Sequence, residues 1–328
     1  MKQINLGTIG SGMIVKAMMA NVAKTQGIRL TAVYSRSAET AAALAESFGA
    51  DSAYTDLDAF LADPVMDYVY IASPNSLHYP QAKKALLAGK NVILEKPFCT
   101  CAAHARELFD IARERGLVLV EAVPPAFLPN LPILRAALPK IGRIRLVQGN
   151  FSQYSSRYDV LLAGQTPNVF NPALGGGCLM DINFYNIWLN TALFGKAHSI
   201  RYFPNRHENG IDTSGVAILD YGDFISTASG AKDTWGENFF LIEGEKGYIH
   251  IPLGPSRLNS IRLVTKDSDT TESLQPDANH WLYEVRELTR ILTEGDTEAL
   301  DKMRQITLDV QQTLEEARLG AGIRFPGE

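Results

Sequence analysis

The chain has 328 residues, 46% of them hydrophobic and 20% charged, which is enough for two domains with sizeable cores. A net charge of −5, carried without blocks of like charge, argues against a nucleic-acid or anionic-membrane surface. No apolar run approaches the ~20 residues that span a bilayer, no signal-peptide pattern precedes the first strand, and the three cysteines (Cys99, Cys101, Cys178) lack zinc or redox spacing. A cytoplasmic protein without a metal site is expected.

Residues 3–9 predict a strand, Gly10-Ser-Gly12 a tight turn, and 13–24 a helix. A second strand is expected over 29–35. Ser37 then caps an alanine-rich helix that runs to Phe48 and is closed by Gly49. Strands return over 68–72, 91–95 and 117–121, with helices over 77–88 and 101–115. This alternation implies βαβ units and a parallel, doubly wound sheet of Rossmann type. A domain boundary is expected after residue 121, giving domains 1–121 and 122–328.

Gly7-x-x-Gly10-x-Gly12 lies at the first strand-to-helix junction, although Val15 stands where a third glycine is common. Gly10 permits the turn, and Gly12 lets backbone approach a pyrophosphate at the helix N-terminus. At the end of the second strand stands Ser35-Arg36-Ser37, with no carboxylate before Glu39. A guanidinium flanked by hydroxyls suits a ribose 2′-phosphate, so NADP is favoured, with NAD still possible. Ser73-Pro-Asn75-Ser-Leu-His78 ends the third strand and opens a helix, with Ser76 as the expected N-cap. His78 there is read as positioning or packing rather than as a general base.

The run Asn91-Val-Ile-Leu-Glu95 is a buried strand that ends in Lys96-Pro97. Proline has no amide hydrogen and stops sheet pairing, which places Lys96 at the carboxyl end of a strand. In open parallel sheets that edge binds ligands.

In the second half, a helix is expected over 129–138 and a long strand over 143–154. In an irregular loop over 155–174, Arg157, Tyr158 and Asn168 are read as solvated loop residues, with substrate contact as the alternative role. Gly175-Gly-Gly177 leads into a helix from Cys178 to Phe194, on which Asp181 and Tyr185 share a face. From the residues alone, Asp181 stabilises the helix start and Tyr185 packs in the core. Strands over 198–204, 213–220, 224–231, 238–243, 247–252 and 259–265 form a meander. Helices over 277–294 and 297–318 close the chain, with Tyr283 and Glu284 returning towards the first domain.

Taken together, these motifs resemble the Gfo/Idh/MocA oxidoreductases, the family of glucose–fructose oxidoreductase and inositol dehydrogenase. The resemblance rests on Gly7-x-x-Gly10-x-Gly12, Ser73-Pro-Asn75-x-x-His78, Gly89-Lys-x-Val92-x-x-Glu95-Lys96-Pro97, and Gly175-Gly-Gly177 followed by Asp181 and Tyr185. It implies a nicotinamide-binding Rossmann domain and an α+β domain with a large, mostly antiparallel open sheet. That sheet would make a homodimer or homotetramer. Cofactor contacts are implied from Gly10, Gly12, Met13, Ile14, Ser35, Arg36, Ser73, Asn75, His78, Glu95 and Lys96. The resemblance also makes Lys96-Pro97 a candidate cis peptide. Asp-x-x-x-Tyr, rather than Asp-x-x-x-His, places the chain near the glucose–fructose oxidoreductase and dihydrodiol dehydrogenase branch. One departure is Ala126, which stands where many members carry arginine.

The implied reaction moves hydride between a nicotinamide and a hydroxyl-bearing carbon of a sugar, polyol or trans-dihydrodiol. Tyr185 is the expected acid/base, its pKa of ~10 lowered by the Lys96 ammonium. Asp181 would hold the substrate hydroxyl or orient Lys96, and Lys96 itself remains an alternative proton donor. Two rival readings are a non-catalytic nucleotide-binding regulator and an NAD-assisted glycosidase.

Overall fold

Short Val/Ile/Leu runs alternating with helices build the first of two units in the computed structural model, which describes residues 3–326. This unit comprises the chain up to Val123 together with Asn279–Thr307; the second comprises Pro124–Ala278 and the chain from Leu308 onward. The structure therefore returns a late segment to the first unit, whereas the sequence reading made one cut after residue 121.

In the first unit, β1 (Ile4–Ile9), α1 (Met13–Val22), β2 (Ile28–Tyr34), α2 (Ala38–Phe48), β3 (Ser52–Tyr54), α3 (Leu57–Leu61), β4 (Tyr68–Ile71), α4 (Asn75–Leu87), β5 (Asn91–Glu95), α5 (Ala102–Arg115) and β6 (Leu119–Ala122) follow in order. The strands form a six-stranded parallel sheet in the order β3-β2-β1-β4-β5-β6. Every residue of β4 and β6 is buried, as expected for a sheet covered on both faces. From β1 the order runs outward in both directions, so the switch point lies between the carboxyl ends of β1 and β4.

Local chemistry sets several helix ends. Ser37 Oγ accepts from Thr40 N at 3.3 Å, and Gly49 closes α2 in the left-handed region. One expectation is corrected: Ser76 does not cap α4. Leu77 N already donates to Pro74 O at 2.8 Å, so the first turn closes one residue too early for Ser76 to serve.

The second unit contains α6 (Asn130–Ala137), β7 (Ile144–Ser152), α7 (Tyr158–Leu162) and α8 (Phe184–Phe194), the last preceded by a widened helical turn over Leu179–Asn183. Strands β8 (Ser199–Arg206), β9 (Asp212–Asp220), β10 (Ile225–Ala231), β11 (Phe239–Gly244), β12 (Gly247–Pro252), β13 (Ile261–Thr265) and β14 (Asp269–Glu272) follow. The eight-stranded sheet has the order β14-β13-β12-β11-β7-β10-β9-β8, antiparallel except where β7 meets β10. One face is buried through Val147, Ala217, Leu219, Ala228, Phe240, Ile242, Ile249 and Ile251. The other leaves Phe203, Val216, Ile218 and Ile225 exposed, with Phe203 opposite Val216 and Ile225 opposite Leu146.

Helix α9 (His280–Glu294) and the first part of α10 (Thr297–Gly320) complete the first unit. Among the described residues, no helix is long and apolar enough to cross a membrane.

Candidate active site

The first unit gathers its candidate residues at the carboxyl ends of β1, β2, β4 and β5. Gly10 has φ +120°, and a Cβ there would lie 2.6 Å from the Ala72 carbonyl oxygen. Only glycine fits both the dihedral and the approach of β1's end to β4's end. A Cβ at Gly12 would meet nothing within 4 Å, and no side chain caps α1 at that residue. The amide dipoles at the start of α1 therefore face an open surface, the arrangement that stabilises a phosphate. Met13 lies outward and exposed, and Ile14 is half-buried.

After β2, Arg36 is exposed and makes no ion pair or hydrogen bond among the described residues. Ser35 Oγ accepts from Ser37 N at 3.4 Å, and Ser37 Oγ caps α2. Both hydroxyls act there as acceptors, which leaves each O–H still able to donate. After β4, Ser73 Oγ is buried and without a partner, an orphaned polar atom facing this edge. Asn75 opens α4 beside it and is half-buried.

His78 is buried, with Nδ1 3.0 Å from Pro97 O and Nε2 2.9 Å from Ser73 O. Burial pulls its pKa down despite these carbonyls. The neutral ring can donate to only one of the two oxygens. Both nitrogens face backbone, so His78 fastens the turn after β4 to the turn after β5.

Lys96 follows β5 at the ligand edge and is half-buried; its bond to Pro97 is cis. Behind it lie three buried carboxyl groups. Glu95 accepts from Tyr70 Oη at 2.6 Å and from Lys96 N at 3.1 Å. Burial raises its pKa, against the pull of Tyr70 and the Lys96 ammonium. Glu121 accepts from Phe98 N at 3.1 Å and Thr307 Oγ1 at 2.8 Å, and burial lifts it to about 8. Glu284, on α9, is fully buried with neither oxygen partnered; burial, and then Glu95, push it well above the ordinary carboxyl range. The sequence reading took Glu284 only as a packing residue. An unpartnered buried carboxyl leaves no pattern in a helix that is otherwise amphipathic.

In the second unit, Asp181 lies in the widened turn and forms an ion pair with Lys232, whose side chain is 6% exposed. Sequence reasoning missed Lys232. The one available signal was a lysine directly following the buried end of β10. Asp181 was expected to hold the substrate hydroxyl or to orient Lys96; within its own unit it also pairs with this second lysine. Asp212 is buried beside them and accepts from Leu179 N and Tyr202 Oη, each at 2.7 Å. Asn183 and Asn186 donate to Ala228 O at 3.0 Å and Ser229 O at 2.9 Å, which fastens the start of α8 to β10. Tyr185 is half-buried, its ring 5.8 Å from Phe151 and 5.5 Å from Phe184. A phenol and an ion-paired carboxylate thus come from one helix start. Tyr158 and Phe170 cluster in the preceding loop, whereas Arg157 and Asn168 are exposed. That loop carries α7 and two short helical turns, so it is more ordered than its composition implies.

A dinucleotide fits the first unit on these observations. The glycine turn, the uncapped start of α1, the orphaned Ser73 hydroxyl and the unpaired Arg36 supply donors or space where phosphates and a ribose would lie.

Family comparison agrees. The profile described as "Oxidoreductase family, NAD-binding Rossmann fold" (GFO_IDH_MocA) matches residues 4–122, and that of the GFO/IDH/MocA C-terminal domain matches 137–250. The chain is 37% identical over 328 residues to an uncharacterized oxidoreductase, YgjR, of Escherichia coli (strain K12), spanning 99% of this chain and 98% of that one. It is 34% identical over 326 residues to scyllo-inositol 2-dehydrogenase (NADP(+)) IolU of Bacillus subtilis (strain 168), spanning 99% of each. Its fold matches that of KijD10, a 3-ketoreductase from Actinomadura kijaniata solved with NADP and TDP-benzene. That match has a TM-score of 0.83 at 23% identity and covers 97% of this chain and 98% of that one. The chain belongs to the Gfo/Idh/MocA oxidoreductase family.

Proposed function

We propose that this oxidoreductase uses NADP in preference to NAD and acts on a hydroxyl-bearing carbon of a sugar, polyol or trans-dihydrodiol. The observation that carries the reading is Lys96 at the carboxyl end of β5, next to the strand that borders the switch point. An ammonium there favours negative charge developing on a reacting oxygen. NADP is favoured because Arg36, which has no carboxylate partner among the described residues, follows β2, the strand end that meets the adenosine ribose in dinucleotide folds. The relative IolU is named as NADP-dependent and acts on scyllo-inositol, a neutral polyol.

The nicotinamide supplies hydride acceptance or donation when bound. The chain's own residues do the rest. In this reading, Gly10, Gly12, Met13 and Ile14 hold the pyrophosphate at α1, and Ser35 and Arg36 hold the adenosine ribose end. Ser73 and Asn75 line the turn after β4. His78 and Glu95 act one layer back, fixing the turn that carries Lys96. Tyr185 exchanges the proton of the substrate hydroxyl, and Asp181, held by Lys232, accepts from a neighbouring hydroxyl.

The assay is a panel of aldoses, polyols and dihydrodiols with NADP and with NAD, read by nicotinamide absorbance. Turnover with at least one compound, faster with NADP, is expected. No turnover with any compound and either cofactor would favour a non-catalytic role. The apolar open face around Phe203, Val216, Ile218 and Ile225 is the proposed surface for a homodimer or homotetramer in the reducing cytosol. Light scattering that returned a monomer would exclude it.

A further inference from the structure

An aromatic run leads away from the Asp181–Lys232 pair in the second unit. Lys232 Nζ lies 5.5 Å from the centroid of Phe170. Phe170 is 5.9 Å from Tyr158, Tyr158 is 5.6 Å from Tyr154 and edge-on to it, and Tyr154 is 6.0 Å from Trp235 with ring planes only 12° apart. The run begins at a buried phenylalanine and ends at an indole that is 78% exposed.

Burial in the core does not account for the outer end of this run. A tryptophan that stabilises the core hides its rings, as Trp188 does at 2%. Trp235 instead stands on the β10–β11 connection between Thr234 and Gly236. Tyr154, the ring it parallels, is itself fixed, because its hydroxyl donates to Asp159 Oδ1 at 2.6 Å. Two oriented, nearly parallel rings at the outer end of the run offer flat apolar faces. Such faces suit the C–H face of a pyranose ring, which is apolar on its axial side while its hydroxyls stay at the edge.

The surrounding charges choose among planar ligands. Asp159, Asp233 and Glu237 flank the strip; Asp233 accepts from Thr213 and Ser214, and Lys232 is already paired with Asp181. Among the described residues of 154–159 and 232–237, Arg157 is the cation besides the paired Lys232, so a diphosphate would meet more negative charge than positive. A neutral ring meets no such penalty.

We propose that Trp235 and Tyr154 form a subsite for a second, neutral sugar ring, so that this chain takes glycosides whose reacting ring lies at Asp181 and Tyr185. The inference rests on the sugar-directed reading above and adds the size of the substrate.

The test compares a monosaccharide with disaccharides that carry it as the reacting ring, using the full-length protein and its Trp235→Ala and Trp235→Phe variants. The wild type should show a higher kcat/KM for a disaccharide. Trp235→Ala should lower that value about ten-fold, mainly through KM, while monosaccharide kinetics stay unchanged and Trp235→Phe restores most of the loss. Equal loss for both substrates, or no loss for either, overturns the subsite. A shift in oligomeric state on Trp235→Ala also overturns it, because the indole then serves an interface. Tighter binding of a nucleoside-diphosphate sugar than of the disaccharide overturns the choice of a neutral ring. Disaccharide titration followed by Trp235 emission separates the two failures. A Trp235-dependent emission change without cofactor turnover supports the subsite and removes the dehydrogenase reading. Turnover without any such change removes the subsite alone.

Discussion

The two faces that carry the candidate residues solve different problems with different material. In the first unit, the candidate groups are mostly backbone: the Gly10 turn, the uncapped start of α1, and the turns after β4 and β5 that meet at the His78 ring. The acids behind Lys96 are buried, and burial raises the pKa of each. In the second unit, the candidate groups are side chains from distant elements, and charge is met by charge, as in Asp181 with Lys232. A cofactor that many enzymes share can be held by backbone geometry. A particular substrate needs side chains, and these are free to vary.

The comparison breaks first on pH. The Glu121 pKa rises from the ordinary 4.5 to about 8 because its carboxyl is buried. The folded chain therefore keeps a proton that the unfolded chain releases, so this carboxyl's contribution to stability is fully present below about pH 4.5 and is lost as pH rises towards 8. The full span is worth roughly 5 kcal/mol at 1.36 kcal/mol per unit. Glu95 and Glu284 act in the same direction, so Glu121→Gln should flatten the slope of denaturation midpoints against pH without abolishing it. A slope unchanged in Glu121→Gln would mean that this carboxyl is ionised in the fold.

Tyr185→Phe bears on the second unit. Turnover should fall about a thousand-fold, roughly 4 kcal/mol, with NADP affinity unchanged, as steady-state kinetics and cofactor titration would show. Full turnover would return the proton transfer to Lys96.

The Asp181–Lys232 pair comes next. Lys232→Met leaves a carboxylate in a partly buried site without its counter-ion, and should cost ~3 kcal/mol by chemical denaturation. The double variant Lys232→Met, Asp181→Asn should recover most of that. An additive double variant would show that the ion pair contributes nothing.

The smallest effect is at Arg36. Arg36→Ala should raise the KM for NADP about ten-fold and leave NAD unaffected, a change of ~1.4 kcal/mol. An equal effect on both cofactors would remove the 2′-phosphate contact.

What the sequence made legible follows the same division. The parallel sheet could be read because β1, β4, β5 and β6 are apolar runs bounded by glycine, proline or lysine, and Asn91–Glu95 was located to the residue. Strand β3 and helix α3 were missed: three strand residues, none of them buried, and five helical ones carry too little periodicity. Strand β14 was missed because all four of its residues are exposed and do not alternate. Lys96 was visible because a strand end and a proline mark it. Lys232 and Glu284 were not, since their roles come from partners or burial supplied by remote segments. The widened turn at Leu179–Asn183 was also hidden, because the apolar run reads as one helix from Cys178 to Phe194.

Lys96 is proposed to serve an NADP-dependent reaction at a carbon bearing a hydroxyl. Nicotinamide absorbance, followed for the wild type and Lys96→Met across the sugar, polyol and dihydrodiol panel, tests it most directly. Turnover of at least one compound with NADP is expected, reduced at least a hundred-fold in Lys96→Met while NADP still binds. Undiminished turnover in Lys96→Met, or none in the wild type with either cofactor, would contradict it.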